Sequence, residues 1–217
     1  MAPFRNNIYI YIYIMNLHLP KDFNNLYSLL NNEHLFKNIL IVNTTTTGLF
    51  LDTMCLDKKT IRIKYNHYDF DNFITEINSI SEKFDLILVD PYHEYKHSII
   101  TFKMLTLLLD ENGILISHDC YPEKFSLTSP IYKKGEWCGV TYAAFIENSY
   151  NNPDFYYAVI NNDYGLGIIS KEEIPFVKKI FDKEKQKIFL DIFKNCDYED
   201  AYNYFKNNSN NIINLIS

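Results

Sequence analysis

The chain has 217 residues, 47% of them hydrophobic and 22% charged, enough to bury one sizeable core and too apolar for wholesale disorder. A formal charge of -6 offers no basic field to recruit phosphates and argues against a general binder of nucleic-acid backbone. The four cysteines lack CxxC spacing, so they signal neither a zinc site nor a disulfide framework, and a reducing, cytoplasmic compartment fits.

The first patterned stretch is IYIYIYIM at 8–15. It is too short to span a bilayer. Its alternation reads as a strand with two different faces, whereas a signal-peptide core is uniformly aliphatic. No membrane partner is expected, and the strand is free to pair with its own sheet or with a second copy of the chain in a homo-oligomer. Residues 20–32 place Phe23, Leu26, Leu29 and Leu30 near a 3.6 period and predict a short helix. NILIVN at 38–43 is a continuous apolar strand of the kind buried between helical layers. TTTTG and a helical LFLDTMCL follow, and TIRIKY at 60–65 alternates as a second strand. Phe73, Ile74, Ile77 and Ile80 share one face of a helix over 71–81, with Asp69 or Asp71 as its cap.

A strand at 85–90, a helix at 95–109 and a strand at 113–118 form a further crossover unit. Residues 122–139 carry Pro122, Pro130 and Gly135 with little periodicity, a long loop of the sort that serves as a lid or binding loop. A helix at 140–150 presents Tyr142, Phe145 and Ile146. The strands at 155–161 and 166–170 are joined by NNDYG, so short a link that the pair must be an antiparallel hairpin. Residues 172–193 read as mostly helical with a break near Lys183, and the Asn-rich tail from Asn207 reads as frayed. The fold class is therefore α/β: a Rossmann-like, doubly wound sheet, mostly parallel, with an antiparallel C-terminal hairpin. An extension at 1–35 precedes the main domain at 36–205, and a flexible tail at 206–217 follows.

Asp90 and Asp119 each fall at the carboxyl end of a parallel strand, the edge where open α/β sheets bind ligands. If those strands are neighbours, the two carboxylates stand about 5 Å apart laterally and can share a divalent cation or hold substrate hydroxyls. His93 and His118 bracket them, with Tyr92 alongside, and a histidine near neutrality can take a proton from a hydroxyl. Read singly, either Asp is as well explained as a cap or loop tie. His97, inside the helix, reads as a packing or solvent-facing residue. Trp137, in GEWCG at 135–139, is open to two readings: a flat contact over the cleft, or an anchor for the loop. In TTTTG only Gly48 permits the close backbone approach that a dinucleotide or nucleoside turn provides.

FDLILVDPYHEY at 84–95 and ENGILISHDC at 111–120 resemble the fourth and fifth strands of class I S-adenosylmethionine-dependent methyltransferases, of the small-molecule or sugar O-methyltransferase sort. GEWCGVTYAAF at 135–145 and DYGLGIIS at 163–170 are similar to later segments of the same group, so the resemblance spans about residues 36–170. It implies S-adenosylmethionine as cofactor and a small-molecule or glycan acceptor. By the same resemblance Asp90 and Asp119 match carboxylates that bind Mg²⁺ in metal-dependent members, though Cys120 stands where a further Asp is common. Tyr92 or His93 occupies the turn where such enzymes keep a base, and His118 belongs to the HD pair; the implied catalytic set is Asp90, His93 and His118. The cofactor would lie over Asn43, Thr44, Thr45 and Gly48, with Asn66 and Asp90 beside it, and Asp71 and Phe73 could flank its adenine. The family's glycine-rich turn, and the acidic residue ending its second strand, are replaced here by IVNTTTTG and TIRIKYNHYD, which offers Lys64, Asn66 or Asp69. That departure keeps a second possibility open, a chain of this fold that has lost the cofactor and acts as a binding or structural protein.

Overall fold

The computed structural model describes residues 20–34, 36–45, 49–54, 59–174, 177–179 and 182–217. The IYIYIYIM run, Gly48 and most of TTTTG lie outside the described residues. Strands β1 (Asn38–Thr44), β2 (Lys59–Tyr65), β3 (Phe84–Asp90), β4 (Leu109–Ser117), β5 (Tyr156–Ile160), β6 (Leu166–Ser170) and β7 (Leu215–Ile216) form one sheet in the order β2-β1-β3-β4-β6-β5-β7. The first four in that order are parallel. β6 runs antiparallel to both β4 and β5, and β7 lies parallel to β5. This is the doubly wound sheet with an antiparallel hairpin that the sequence predicts. After β1 the chain steps outward to β2, then returns past β1 to β3, so the crevice of a switch point opens at the carboxyl ends of β1 and β3.

The helices are α1 (Phe23–His34), α2 (Phe70–Asn78), α3 (Tyr95–Leu108), α4 (Thr141–Asn151), α5 (Lys183–Lys194) and α6 (Tyr198–Ile212). Alternate strand residues supply two cores. Leu40, Val42, Ile87, Val89 and Leu115 pack with apolar side chains of α2 to α6. Ile39, Ile41, Leu86, Leu88, Ile114 and Ile116 pack with Phe23, Leu26 and Leu30 of α1. Burial on both faces explains why these strands read as unbroken apolar runs. Since α1 supplies part of the second core, it is integral to the domain rather than an extension.

Several expectations need correction. The first crossover is helical at Leu49–Thr53, as expected, but as a 3₁₀ stretch, while residues 55–58 lie outside the described set. Asp69 is the residue before α2 but makes no side-chain capping bond there; Asn66 instead caps the short 3₁₀ turn ahead of it. The described part of 172–182 is not helical, and Lys178 bridges to Tyr157 next to β5. The tail is neither frayed nor loose, because Tyr202, Phe205, Ser209 and Ile212 form a buried stripe on α6. Asn residues fill the other face of that helix, so composition alone hid it. Leu215–Ile216 then adds to the sheet beyond the hairpin.

Candidate active site

β1 and β3 pair in register Asn43↔Asp90, and β3 and β4 in register Val89↔Ser117, so the chain segments carrying Asp90 and Asp119 emerge side by side. Asp119 takes a left-handed backbone, φ 61, which turns the chain back over the strand ends. His93 lies between the two carboxylates: its Nε2 is 2.9 Å from Asp90 Oδ1 and 3.1 Å from Asp119 Oδ2. All three side chains are buried, and among the described residues they form the one cluster with the spacing of a metal centre.

The other nitrogen of that ring settles its tautomer. His93 Nδ1 is 2.7 Å from the carbonyl oxygen of Trp137, and a carbonyl only accepts, so Nδ1 carries a proton and donates it. Two states of Nε2 then fit. It bears a proton and donates to the carboxylates, or it is bare and a cation joins it to them. Ligands bound cis to Mg²⁺ at about 2.1 Å stand about 3.0 Å apart, which is the observed spacing. A histidine whose second nitrogen is tied to a backbone carbonyl is also the usual support for a ligating imidazole. The donor set, two carboxylate oxygens and one imidazole nitrogen, therefore fits a divalent cation. Burial pulls the His93 ring down, but the charges of Asp119 and Asp90 outweigh it and leave the ring above its ordinary range. Burial likewise pushes Asp119 up, and the attraction of His118 and then His93 outweighs that and holds it low.

His118 is one step further out. Its Nδ1 lies 3.1 Å from Asp119 Oδ2 and its Nε2 3.3 Å from Asp163 Oδ2. With a carboxylate on each nitrogen the ring must donate from both, so it has no free lone pair with which to deprotonate an acceptor. Burial opposes the charged ring, yet the charge of Asp119 and the bonds to both carboxylates raise it well above its ordinary range.

The loop at 122–139 builds the wall of the site through its backbone. Trp137 is buried and its indole N–H donates to Ser129 O at 2.7 Å, so the ring anchors the loop, while its carbonyl orients His93. Val140 N donates to His93 O at 2.8 Å. Gly139, φ 55, makes that approach possible: a Cβ there would stand 2.2 Å from His93 O. Tyr92 lies flat on His67, with ring centroids 4.1 Å apart, and burial followed by the Glu94 charge pushes its phenol up to about 12, so it keeps its proton near neutral pH and is not available as a base. His97 packs edge-on to Phe70 and Tyr92. Cys120, at the position of a further expected ligand, is buried with its thiol beside Gly167 and 3.5 Å from the carbonyl oxygen of His118.

Among the residues expected from the sequence to hold a cofactor, the placement is mixed. Asn43 and Thr44 are buried at the end of β1, and Thr45 N donates to Tyr65 O at 3.0 Å. Asn43 Nδ2 donates to Asp52 Oδ1 at 3.1 Å, and Asp52 pairs with Lys64 at 2.6 Å. Asn66 accepts from Tyr68 N at 3.0 Å as a turn cap. Phe73 is fully buried against Tyr65 and cannot face a ligand. Asp52, Asp163 and the Trp137 carbonyl are the members that sequence reasoning missed. The first lies in the 3₁₀ stretch after β1, the second in the β5–β6 turn, and the third is a backbone atom that residue identity does not advertise.

No protein-family model matches the chain, and no curated protein matches it. It is similar in structure to a proposed caffeoyl-CoA O-methyltransferase from Staphylococcus aureus, 16% identical, with TM-score 0.45, covering 82% of this chain and 93% of that one. A proposed O-methyltransferase from Klebsiella pneumoniae is 10% identical with TM-score 0.47, covering 81% of this chain and 92% of its own. A methyltransferase of Podospora anserina, its structure bound to SAH, is 14% identical with TM-score 0.46 over 79% and 89%. Overlap this loose leaves the case to the residues themselves.

Proposed function

We propose that the chain is an S-adenosylmethionine-dependent O-methyltransferase acting on a hydroxyl of a small molecule or sugar. One observation carries the reading: a buried Asp90–His93–Asp119 cluster, with cation-ligand spacing, stands at the carboxyl edge beside the switch point. When bound, the cofactor supplies a methyl group on a positively charged sulfur, and a cation held by the cluster lowers the pKa of the acceptor hydroxyl. The protein's own share is placement. Asn43, Thr44 and Thr45 border the cofactor side of the crevice, and Asp52, half exposed beside the end of β2, offers ribose hydroxyls the carboxylate that β2 itself lacks. Asp90, His93 and Asp119 face the acceptor side, where the loop at 122–139 excludes water. The acidic net charge favours a small acceptor over a nucleic acid, no helix among the described residues is long and apolar enough to cross a membrane, and free thiols at Cys120, Cys138 and Cys196 fit a reducing cytoplasm.

A second reading, a cofactor-free binding protein, draws on the Asn43–Asp52–Lys64 chain, which already engages polar groups at the ends of β1 and β2. Thermal melting with S-adenosylhomocysteine, with and without Mg²⁺, separates the two. At a ligand concentration 100 times Kd the folded state gains about 2.7 kcal/mol, a rise of roughly 5–10 °C for a chain of this size. No shift at millimolar ligand assigns the chain to the second reading.

A further inference from the structure

We infer that Asp163 is a positioning residue of the site, acting through His118 to hold the Asp119 carboxylate against His93. The inference rests on reading Asp90, His93 and Asp119 as the functional centre. The sequence alone makes Asp163 an ordinary turn residue, but its surroundings say otherwise. Gly165 N donates to Asn162 O at 2.8 Å and closes the hairpin turn, whose two central residues, Asp163 at φ 49 and Tyr164 at φ 58, are both left-handed without being glycine. Such a turn favours Asn and Gly, and strained backbone persists only where the surroundings over-determine it. Here they do. Cys120 N donates to Gly165 O at 2.9 Å and Tyr121 N to Tyr164 O at 2.8 Å, which staples the turn to the segment just after Asp119.

The carboxylate so placed has two donors. Asp163 Oδ2 lies 3.3 Å from His118 Nε2 and accepts from the backbone N–H of Phe23, at the start of α1, also at 3.3 Å. His118 has Phe50 and Phe23 packed beside it, at ring-centroid distances of 5.4 and 6.4 Å, so its ring plane is set by those aromatics and by its two carboxylates. A single oxygen, Asp119 Oδ2, then receives both His118 Nδ1 and His93 Nε2, each at 3.1 Å. Without Asp163 the His118 ring loses one of the contacts that set its rotation, and the donor it holds against Asp119 Oδ2 is aimed less firmly. The arrangement follows from topology. β6 runs against β4, so the turn that begins β6 lies at the rim where β4 ends.

The test uses Asp163→Gly, which suits the left-handed turn but removes the carboxylate, and Asp163→Asn, which keeps an oxygen for Nε2–H to meet. Two readouts are taken: a crystal structure of each variant, and Mn²⁺ affinity from the free-ion resonance signal. In Asp163→Gly the Asp119 carboxylate should leave hydrogen-bond distance of His93, and Mn²⁺ affinity should fall about tenfold or more, the usual effect of losing an outer-shell partner. Asp163→Asn should stay within about threefold of the parent. An Asp119 carboxylate that keeps its place in Asp163→Gly overturns the inference, whatever the metal result. If the parent protein binds no Mn²⁺ while Asp119 still moves in the variant, the cation-dependent reading of the site fails and the positioning role stands.

Discussion

Replacing Gly139 with Ala tests whether the loop at 122–139 truly seats on His93. The backbone there is left-handed at φ 55, which costs a non-glycine residue about 1–2 kcal/mol. The added methyl would lie 2.2 Å from His93 O and 2.5 Å from His93 Cβ, so the loop or the histidine must yield by about an ångström. Overpacking of that kind costs roughly 1–3 kcal/mol more. The sum, about 2–5 kcal/mol, lowers Tm by about 4–20 °C in a chain of this length. Gly135 is the internal control: it is also left-handed, at φ 102, but no atom lies within 4 Å of a Cβ built on it. Gly135→Ala therefore carries the backbone cost alone. Melts of both variants by circular dichroism, alongside Mn²⁺ titrations, give the comparison. The expected outcome is a larger Tm loss and weakened Mn²⁺ binding for Gly139→Ala only. Equal losses in the two variants, with Mn²⁺ binding intact, would refute the close approach.

Three further outcomes are expected. Asp119→Asn should cut any cation-dependent methyl transfer at least tenfold, measured as turnover of labelled cofactor; an unchanged rate removes that carboxylate from the mechanism. Truncation before Asn207 deletes Ile212 and Ile213, both fully buried, which at about 1.5–3 kcal/mol each should lower stability by about 3–6 kcal/mol in urea titrations, where a truly frayed tail would leave the midpoint in place. The charge of Asp119 and the bonds to both carboxylates hold His118 well above the ordinary histidine range near 6.5, so its ion pairs stabilise the fold fully below about pH 6.5 and progressively less as pH climbs through the raised value. Cation-free wild type should thus lose stability relative to His118→Asn as pH goes from about 6 to 10, and parallel Tm curves for the two proteins would contradict this.

The parallel strands were legible because a strand buried on both faces leaves an unbroken apolar run, as in NILIVN and FDLILVD. The hairpin was legible because NNDYG is too short for a crossover. Helix α6 was not, since its buried stripe of Tyr202, Phe205 and Ile212 is diluted by Asn on every other side. At the site, Asp90, His93 and Asp119 announced themselves by lying at strand ends. Asp163 did not, because a carboxylate in a turn is ordinary and its partner His118 is 45 positions away by number, brought close only by strand reversal. Nor could the sequence separate the two histidines. His93 faces both carboxylates with one nitrogen, while His118 spends both nitrogens on different partners, and only the folded chain distinguishes these.

The reversal of β6 against β4 has a lasting effect on how this molecule can change. A loop delivered to the rim by a hairpin is attached to no crossover helix, so lengthening or re-lettering it leaves the winding of the parallel strands intact. The tip at 161–165 can therefore vary without rewinding the sheet, but a change at Asp163, or at Gly165 where a Cβ would stand 2.0 Å from Tyr121 N, is transmitted to Asp119.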